Sequence, residues 1–159
     1  MREILFRGKM VYEMPSPISE WVYGYLSFVY IDNPAKASIY CPKVAQRYDV
    51  LFETIGQYTG LRDKNGTKIF EGDIVKQKFC HYRNSFHPVS LGFLDSETLG
   101  EGFWIGVVVY IPSVGYVISK VIEVDEYNET TKRVRRKNIV QYKTQVIGNI
   151  HENPELLED

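Results

Sequence analysis

The sequence predicts a mainly β protein. Aromatic residues make up 14% of the 159-residue chain, with 12 tyrosines, and aromatic and β-branched residues suit a pleated, half-buried surface. These residues fall in short runs separated by clusters of glycine, proline, asparagine and aspartate, as expected of strands joined by turns. One run, "IVKQKF", also alternates apolar and polar residues, which is typical of a sheet with one solvated face.

The length and composition predict an intracellular protein. A chain of 159 residues forms one domain or two tightly packed subdomains and can bury most of its apolar surface. The formal net charge of −1 gives no global reason to expect nucleic acid or an anionic membrane as partner. Cys41 and Cys80 are isolated, which favours reduced thiols over a secreted disulfide framework and leaves a single bridge between them as the alternative. Because the first ten residues lack a signal-peptide core and the longest apolar run, residues 103–111, is about half of a membrane helix, we expect a cytoplasmic protein.

The first half of the chain reads as strands joined by turns. The runs "ILF" and "EWVYGYLSFVY" predict an N-terminal hairpin around the proline-rich turn "MPSPIS". Residues 37–55 hold either short strands or one short helix, because their periodicity does not decide between the two. Residues 55–61 predict a strand that ends at "RDKNG", where Asn65 and Gly66 can take the positive φ angles of a tight hairpin turn.

The second half continues the strand pattern but contains one long gap. After "TKIF", the corner "EGD" and "IVKQKF", residues 80–102 show no sustained period, which predicts a long loop with a short helix at residues 95–99. Two or three strands follow in "FWIGVVVYIPSVGYVISKVIEVDEY", with a break at "PSVG", and "RVRRKNIVQYK" and "TQVIGNI" close the sheet. Asn153 as a cap and Pro154 at the first helical position predict a short C-terminal helix.

Glu71 and Asp73 are the first candidates for chemistry. Two residues apart on a strand, they would share one face, which an acid–base pair or a site for a hard cation requires. The glycine between them is also ordinary turn chemistry, and we favour this structural interpretation. A phosphate-binding loop is disfavoured, because the glycines of this stretch are widely spaced and lie among strands. These glycines are Gly56, Gly60, Gly66 and Gly72.

Cys80, His81 and His87 are the only cluster of metal-ligating side chains. A tetrahedral site would need a fourth ligand such as Cys41 or His151, and a zinc motif repeats its short spacing, which this sequence does not. Surface histidines and a small buried thiol are the simpler interpretation. A nucleophilic pair of Cys80 with either histidine has no stronger support, because adjacency in sequence does not establish its geometry.

The segment "KRVRRK", residues 132–137, is the strongest local charge feature. On a strand, Arg133, Arg135 and Lys137 would share one face and meet successive phosphates, with Tyr127 and Tyr142 nearby for stacking on bases. The acidic stretch "EVDEYNE" directly before it could instead pair with these bases across a hairpin. Three interpretations remain: a self-neutralised or solvated face, nucleic-acid contact, and an acidic protein surface as partner. The candidate macromolecule-binding residues are Arg133, Arg135, Arg136 and Lys137.

Trp21, Tyr23 and Tyr25 alternate along one face of the second predicted strand, and the other face carries Val22, Leu26 and Phe28. Both faces are therefore apolar. A strand covered on both sides, or exposed on one side for a subunit contact, explains this more simply than a ligand-stacking platform. We expect a homo-oligomer.

The stretch "GQYTGLRDKNGTKIFEGDIV", with "ILFRGK" and "EWVYGYL" before it and "VIGNIHENPELL" after it, resembles the YopX family of small phage and prophage proteins. The four blocks span nearly the whole chain, with weaker similarity in residues 30–50 and 80–102. The resemblance implies an oligomeric protein that is encoded by phages or prophages and acts inside bacteria, and it brings no catalytic residues. At the level of fold, "GDIVKQKF" followed by "GFWIGVVVYI" is similar to the opening strands of an SH3-like barrel, a fold that hosts many unrelated binding functions.

The sequence therefore predicts an N-terminal β subdomain, residues 1–60, packed on an SH3-like barrel, residues 61–159, which ends in a short helix. We expect a non-enzymatic binding module without a cofactor, whose partner is an unidentified phage or host protein and whose variable surface is the 80–102 loop with the basic strand. One alternative is nucleic-acid binding through residues 132–137. Another is a metal-dependent hydrolase that uses Glu71, Asp73, His81 or His87.

Overall fold

The structure is a computed structural model that describes residues 3–11, 20–30, 32–125 and 131–158. It is mainly β, as the sequence predicts, and its strands form two antiparallel sheets. The predicted turn "MPSPIS", and with it Glu126, Tyr127 and Glu129 of the acidic stretch, lie outside the described residues. None of the helices in the described residues is long and apolar enough to cross a membrane.

The first sheet has the strand order β4-β3-β2-β1-β5-β6. Its core consists of Val22, Ala37, Ile39 and Val50. A single bridge between Met10 and Val50 brings the chain after β1 against β4, so this sheet curls around its core. The strands are β1 (Phe6–Lys9), β2 (Trp21–Val29), β3 (Lys36–Cys41), β4 (Gln46–Leu51), β5 (Gly56–Arg62) and β6 (Lys68–Phe70).

Residues 37–55, for which the sequence left strands and a helix open, form β3, β4 and a single 3-10 turn, Phe52–Thr54. In the "RDKNG" turn, Gly66 takes a φ of +84°, as predicted, whereas Asn65 is not among the residues with positive φ. The Asp63 carboxylate holds this turn: Oδ1 accepts hydrogen bonds from the Asn65 and Thr67 amides, and Oδ2 accepts one from the Val146 amide on the neighbouring sheet. The "RDKNG" stretch is therefore a turn that joins β5 to β6.

The second sheet has the strand order β10-β9-β8-β7-β12, with β11 paired to β9. Its core includes Ile69, Val75, Val108, Ile118 and Val121. Among the described strands this sheet is open, so it does not close into a barrel and the predicted SH3-like barrel is not confirmed. Its strands are β7 (Asp73–Phe86), β8 (Phe93–Ile111), β9 (Gly115–Asp125), β10 (Thr131–Val134), β11 (Lys137–Asn138) and β12 (Thr144–Asn149).

Two predicted elements differ in the structure. Residues 80–102 are not a loop, because β7 and β8 extend through them as a paired hairpin, and the helix predicted at residues 95–99 is part of β8. The C-terminal helix is only a 3-10 turn, Pro154–Leu157. Asn153 does not cap this turn with its side chain; its Oδ1 accepts a hydrogen bond from the Asn149 amide instead.

The chain passes from the first sheet to the second between Phe70 and Asp73. Gly72 takes a φ of +82° there, and Asp73 Oδ2 accepts a hydrogen bond of 2.7 Å from the Phe70 amide, which confirms the structural interpretation of "EGD". The division into subdomains at residue 60 stays a prediction, and β5 runs across that position.

Candidate functional site

The basic segment is divided between two short strands. β10 ends at Val134 and β11 begins at Lys137, so residues 132–137 do not form one strand. Arg133 lies opposite Ile122 of β9, whereas its neighbour Lys132 lies opposite Glu123 and therefore on the other face. Arg135 and Arg136 lie between the strands and are exposed, as is Arg133. The predicted single row of Arg133, Arg135 and Lys137 is therefore not formed, although the charges remain close in sequence and accessible.

Lys137 lies against an aromatic cluster that the sequence reasoning missed. Its Nζ lies 4.1 Å from the centroid of the Trp104 ring. Phe79 stacks on the same ring with centroids 4.9 Å apart, and the Trp104 Nε1 donates a hydrogen bond of 2.9 Å to Glu123 Oε2. The "GFW" run in β8 gave a local signal for an aromatic strand, but not for its position beside residues 132–137.

Tyr142 and the acidic stretch were the other features predicted to act with the basic segment. Tyr142 is exposed, with Lys143 Nζ at 5.7 Å from its ring centroid. β9 and β10 pair as antiparallel strands in which Glu123 lies opposite Lys132, so the acidic and basic stretches are neighbours across a hairpin. The pairing of their charges stays a prediction.

Glu71 and Asp73 do not form a carboxylate pair. Asp73 is buried, and its Oδ1 lies 2.6 Å from Nη1 of Arg7 on β1. Burial raises the pKa of Asp73, and the charge of Arg7 and the Phe70 amide act against that rise. Glu71 Oε1 instead accepts a long hydrogen bond, 3.4 Å, from the Tyr110 amide. The two acids serve different structural contacts.

The predicted metal or nucleophile residues are likewise separate. Cys80 Sγ contacts Glu101 Oε1 at 3.5 Å, and His81 packs on Phe79 with ring centroids 4.8 Å apart. His87 lies at the end of the hairpin, where its Nδ1 accepts hydrogen bonds from the Val89 and Ser90 amides. Across the described parts of the chain, no group of three or more histidine, cysteine, aspartate or glutamate side chains is placed to hold a metal ion.

Residues 80–102 form a projecting hairpin, which we call the arm. β12 pairs with β7 only as far as Gln77, and β9 pairs with β8 only as far as Gly102. Beyond these positions β7 and β8 pair with each other alone among the described residues, down to Phe86 opposite Phe93. A lone two-stranded hairpin is marginally stable in water. Among the described residues, no third strand supports the arm.

The arm exposes an unusual amount of apolar surface. Phe86 and Phe93 face each other near its end with ring centroids 6.1 Å apart, while Arg83 and Glu97 lie opposite each other nearer the base. Contiguous exposed apolar surface commonly marks a contact site. The exposed apolar side chains of the arm are Tyr82, Phe86, Val89, Leu91, Phe93, Leu94 and Leu99.

The end of the arm is a tight, ordered turn. The His87 amide donates to the Gly92 carbonyl at 2.8 Å and the Leu91 amide donates to the His87 carbonyl at 2.9 Å. Leu91 takes a φ of +55°, a region that bulky residues rarely adopt, and its side chain is 75% exposed. Strained backbone at an exposed turn is characteristic of functional positions. Here it presents Leu91 and Val89 to solvent.

The model of a family described as YopX protein matches residues 19–158. The chain belongs to the YopX family. No curated protein matches this YopX protein. The matched region contains the whole arm, the basic segment and the Trp104 cluster, whereas β1 with Arg7 precedes it.

This YopX protein thus presents two surfaces suited to recognising a macromolecule. The arm offers apolar side chains on an otherwise unsupported hairpin. The basic segment offers three exposed arginines and a lysine over a tryptophan. The sequence indicated both regions as contact surfaces, but it predicted a loop for residues 80–102 and one regular strand for residues 132–137.

Proposed function

We propose that this YopX protein is a non-enzymatic binding module that self-associates through its arm. The observation that supports the proposal is the exposure of the apolar end of the arm, where Val89 is 86% exposed. Burying each such side chain gains about 1.5–3 kcal/mol, so several together can offset the cost of association. Membership of the YopX family supports a further part of the proposal, that the protein is encoded by a phage or prophage and acts in the bacterial cytoplasm.

Sedimentation velocity over a range of protein concentrations tests self-association. The variant Val89→Ser with Leu91→Asn removes two apolar side chains, and asparagine tolerates the positive φ at position 91, so the turn is kept. We expect the wild-type chain to form oligomers and the double variant to stay monomeric at the same concentration. Phe52→Ser is the matched control, because Phe52 is 47% exposed but lies outside the arm. A monomeric wild-type chain at all concentrations, or a double variant that associates like the wild type, would contradict the proposal.

Nucleic-acid binding is a second candidate because Lys137 lies over Trp104 beside three exposed arginines. Proteins that bind single strands combine basic side chains with aromatic rings on which bases stack. Arginine also binds phosphate with two parallel hydrogen bonds. These contacts predict affinity that falls steeply as salt concentration rises.

Fluorescence anisotropy with labelled single- and double-stranded DNA and RNA tests this candidate. We expect saturable binding at low salt that weakens near physiological salt and disappears when Arg133, Arg135 and Arg136 are changed to glutamate. Lys43→Glu with Lys64→Glu reverses two exposed charges of the first half of the chain and serves as the control. Equal loss in both variants would assign the binding to net charge alone, and no binding at low salt would remove the candidate.

A further inference from the structure

A cleft of about 810 Å³ lies beside β1 and β2, and the Arg7–Asp73 pair forms part of its lining. Trp21, Tyr23 and Tyr25 of β2 contribute to its lining, and Cys41 and Val44 contribute from the end of β3 and the β3–β4 turn. The three aromatic residues alternate with buried Val22 and Gly24, as the sequence predicts for one face of the strand. Tyr23 and Tyr25 keep 46% and 49% of their surface exposed. The cleft is therefore an aromatic surface open to a partner.

The charged groups around this cleft are largely neutralised within the chain. Arg7 pairs with Asp73 at 2.6 Å, and Lys68 pairs with Glu3 at 2.8 Å. Glu152 accepts a hydrogen bond from the Trp21 indole at 2.9 Å and pairs with Lys9 at 3.3 Å. Burying an uncharged apolar group against these residues would leave their pairs intact, whereas a charged group would compete with them. The other two charged residues of the lining, Glu20 and Lys43, are exposed. The lining fits an apolar and uncharged occupant.

The end of the arm has those properties. Residues 86–94, "FHPVSLGFL", contain no aspartate, glutamate, lysine or arginine. Phe86, Val89, Leu91, Phe93 and Leu94 are all more than half exposed, so the arm does not fill the cleft of its own chain. Among the described residues, each chain therefore carries an uncovered apolar projection and an aromatic cleft that no other described segment fills.

We propose that the end of the arm of one copy occupies the aromatic cleft of a second copy. This arrangement rests on the self-association proposed above and names the surface that receives the arm. The five exposed apolar side chains of the arm end and the exposed halves of Tyr23 and Tyr25 supply the surface of this contact on each partner, and stable interfaces bury roughly 800 Å² per partner. If two copies exchange arms about a two-fold axis, each contact occurs twice.

A native thiol in the cleft allows a direct test. Cys41 lines the cleft, and Cys80→Ser leaves it as the only cysteine. In that background Leu91→Cys places a second thiol at the end of the arm. Under mild oxidation of the full chain we expect covalent dimers that need both positions, and adding Cys41→Ser should abolish them. Ser113→Cys is the control for random oxidation, because Ser113 is exposed in the turn between β8 and β9.

A matched pair of variants gives a second measurement that does not depend on disulfide geometry. Tyr25→Ser changes a cleft residue, whereas Phe28→Ser changes a residue of the same strand that is 54% exposed but lies outside the cleft lining. We expect Tyr25→Ser to weaken dimerisation in sedimentation equilibrium by about tenfold or more, as removal of a central interface aromatic does, and Phe28→Ser to leave it near the wild-type value.

The outcomes separate this inference from the proposed self-association. Covalent dimers that persist without Cys41 mean that the arms meet each other, which overturns the arm-in-cleft contact but keeps self-association. A chain that associates but forms no disulfide between positions 91 and 41, and whose association Tyr25→Ser does not weaken, also overturns the arm-in-cleft contact. The contact then lies elsewhere on the second copy. A chain that is monomeric at all concentrations overturns both and leaves the arm as a contact for a different protein.

Discussion

Arg7 on β1 and Asp73 at the start of β7 form an ion pair of 2.6 Å that joins the two sheets. The Arg7 guanidinium also lies between two aromatic rings, 4.7 Å from the centroid of Trp21 and 5.1 Å from that of Phe70. Asp73 is only 1% exposed, so neither charge can be solvated if its partner is lost. The contact between the two sheets at this point therefore depends on both Arg7 and Asp73.

We expect Arg7→Met to cost about 3–5 kcal/mol of unfolding free energy, because it leaves the Asp73 carboxylate buried without its partner. Adding Asp73→Asn removes that charge and should recover part of the loss, since an amide oxygen can still accept from the Phe70 amide. Urea denaturation measures both. The exposed pair Lys68–Glu3 provides the control, and Lys68→Met should cost less than about 1 kcal/mol. Equal effects of Arg7→Met and Lys68→Met would contradict this account.

Asp63→Asn tests the carboxylate that holds the "RDKNG" turn to β12. Burial alone would raise the pKa of Asp63, but hydrogen bonds from the Val146, Thr67 and Asn65 amides outweigh it and the pKa is lowered below 3.8. The stabilisation is therefore complete above pH 3.8 and is lost as the pH falls through the folded-state pKa. We expect the substitution to cost about 1.5–3 kcal/mol at pH 7, and the difference from wild type to shrink in urea titrations near pH 3. A difference that does not change with pH would show that the carboxylate charge is not involved.

Gly24→Ala tests the close pairing of β2 and β3. A Cβ at Gly24 would overlap the Tyr40 carbonyl oxygen and approach the Ile39 side chain at 3.0 Å. Because the obstacle is backbone, we expect a loss of about 1–3 kcal/mol or more in thermal or urea unfolding. Gly100→Ala in the arm is the control, since no atom lies within 4 Å of its Cβ position. A change at Gly24 as small as that at Gly100 would mean that the strands separate there at little cost.

The contact between Trp21 and Glu152 should be visible in an acid titration. Burial raises the pKa of Glu152, but hydrogen bonds from Asn149, Trp21 and Lys9 outweigh this and lower it below 4.5. The interaction is thus present above pH 4.5 and lost as the pH falls through the lowered value. In a Trp104→Phe chain, where Trp21 is the only tryptophan, fluorescence should change with a midpoint below 4.5. Glu152→Gln should lack that transition, and its persistence would assign the signal to another group.

The candidate surfaces were accessible to sequence reasoning only in part. The basic residues at 132–137 can be identified from the sequence alone. Trp104 and Phe79, however, come close to Lys137 only because β8 pairs with β9 and β7, and no local sequence pattern encodes that pairing. The arm was predicted as a loop because alternation of apolar and polar residues arises where one face of a sheet is buried. Both faces of the arm are exposed, so its strands carry no such period.

The sequence by itself determined the mainly β class, the turns at Gly66 and Gly72, and the resemblance to the YopX family, which the match over residues 19–158 confirms. The class and the turns depend on local backbone preferences and on the periodicity of burial, which neighbouring residues express directly, whereas the resemblance depends on four blocks of matching sequence. Only the tertiary structure decided the open second sheet, the projecting arm and the pair of Arg7 with Asp73. Each of those depends on contacts between residues distant in sequence, whose free energy appears only after the chain has closed the loops between them.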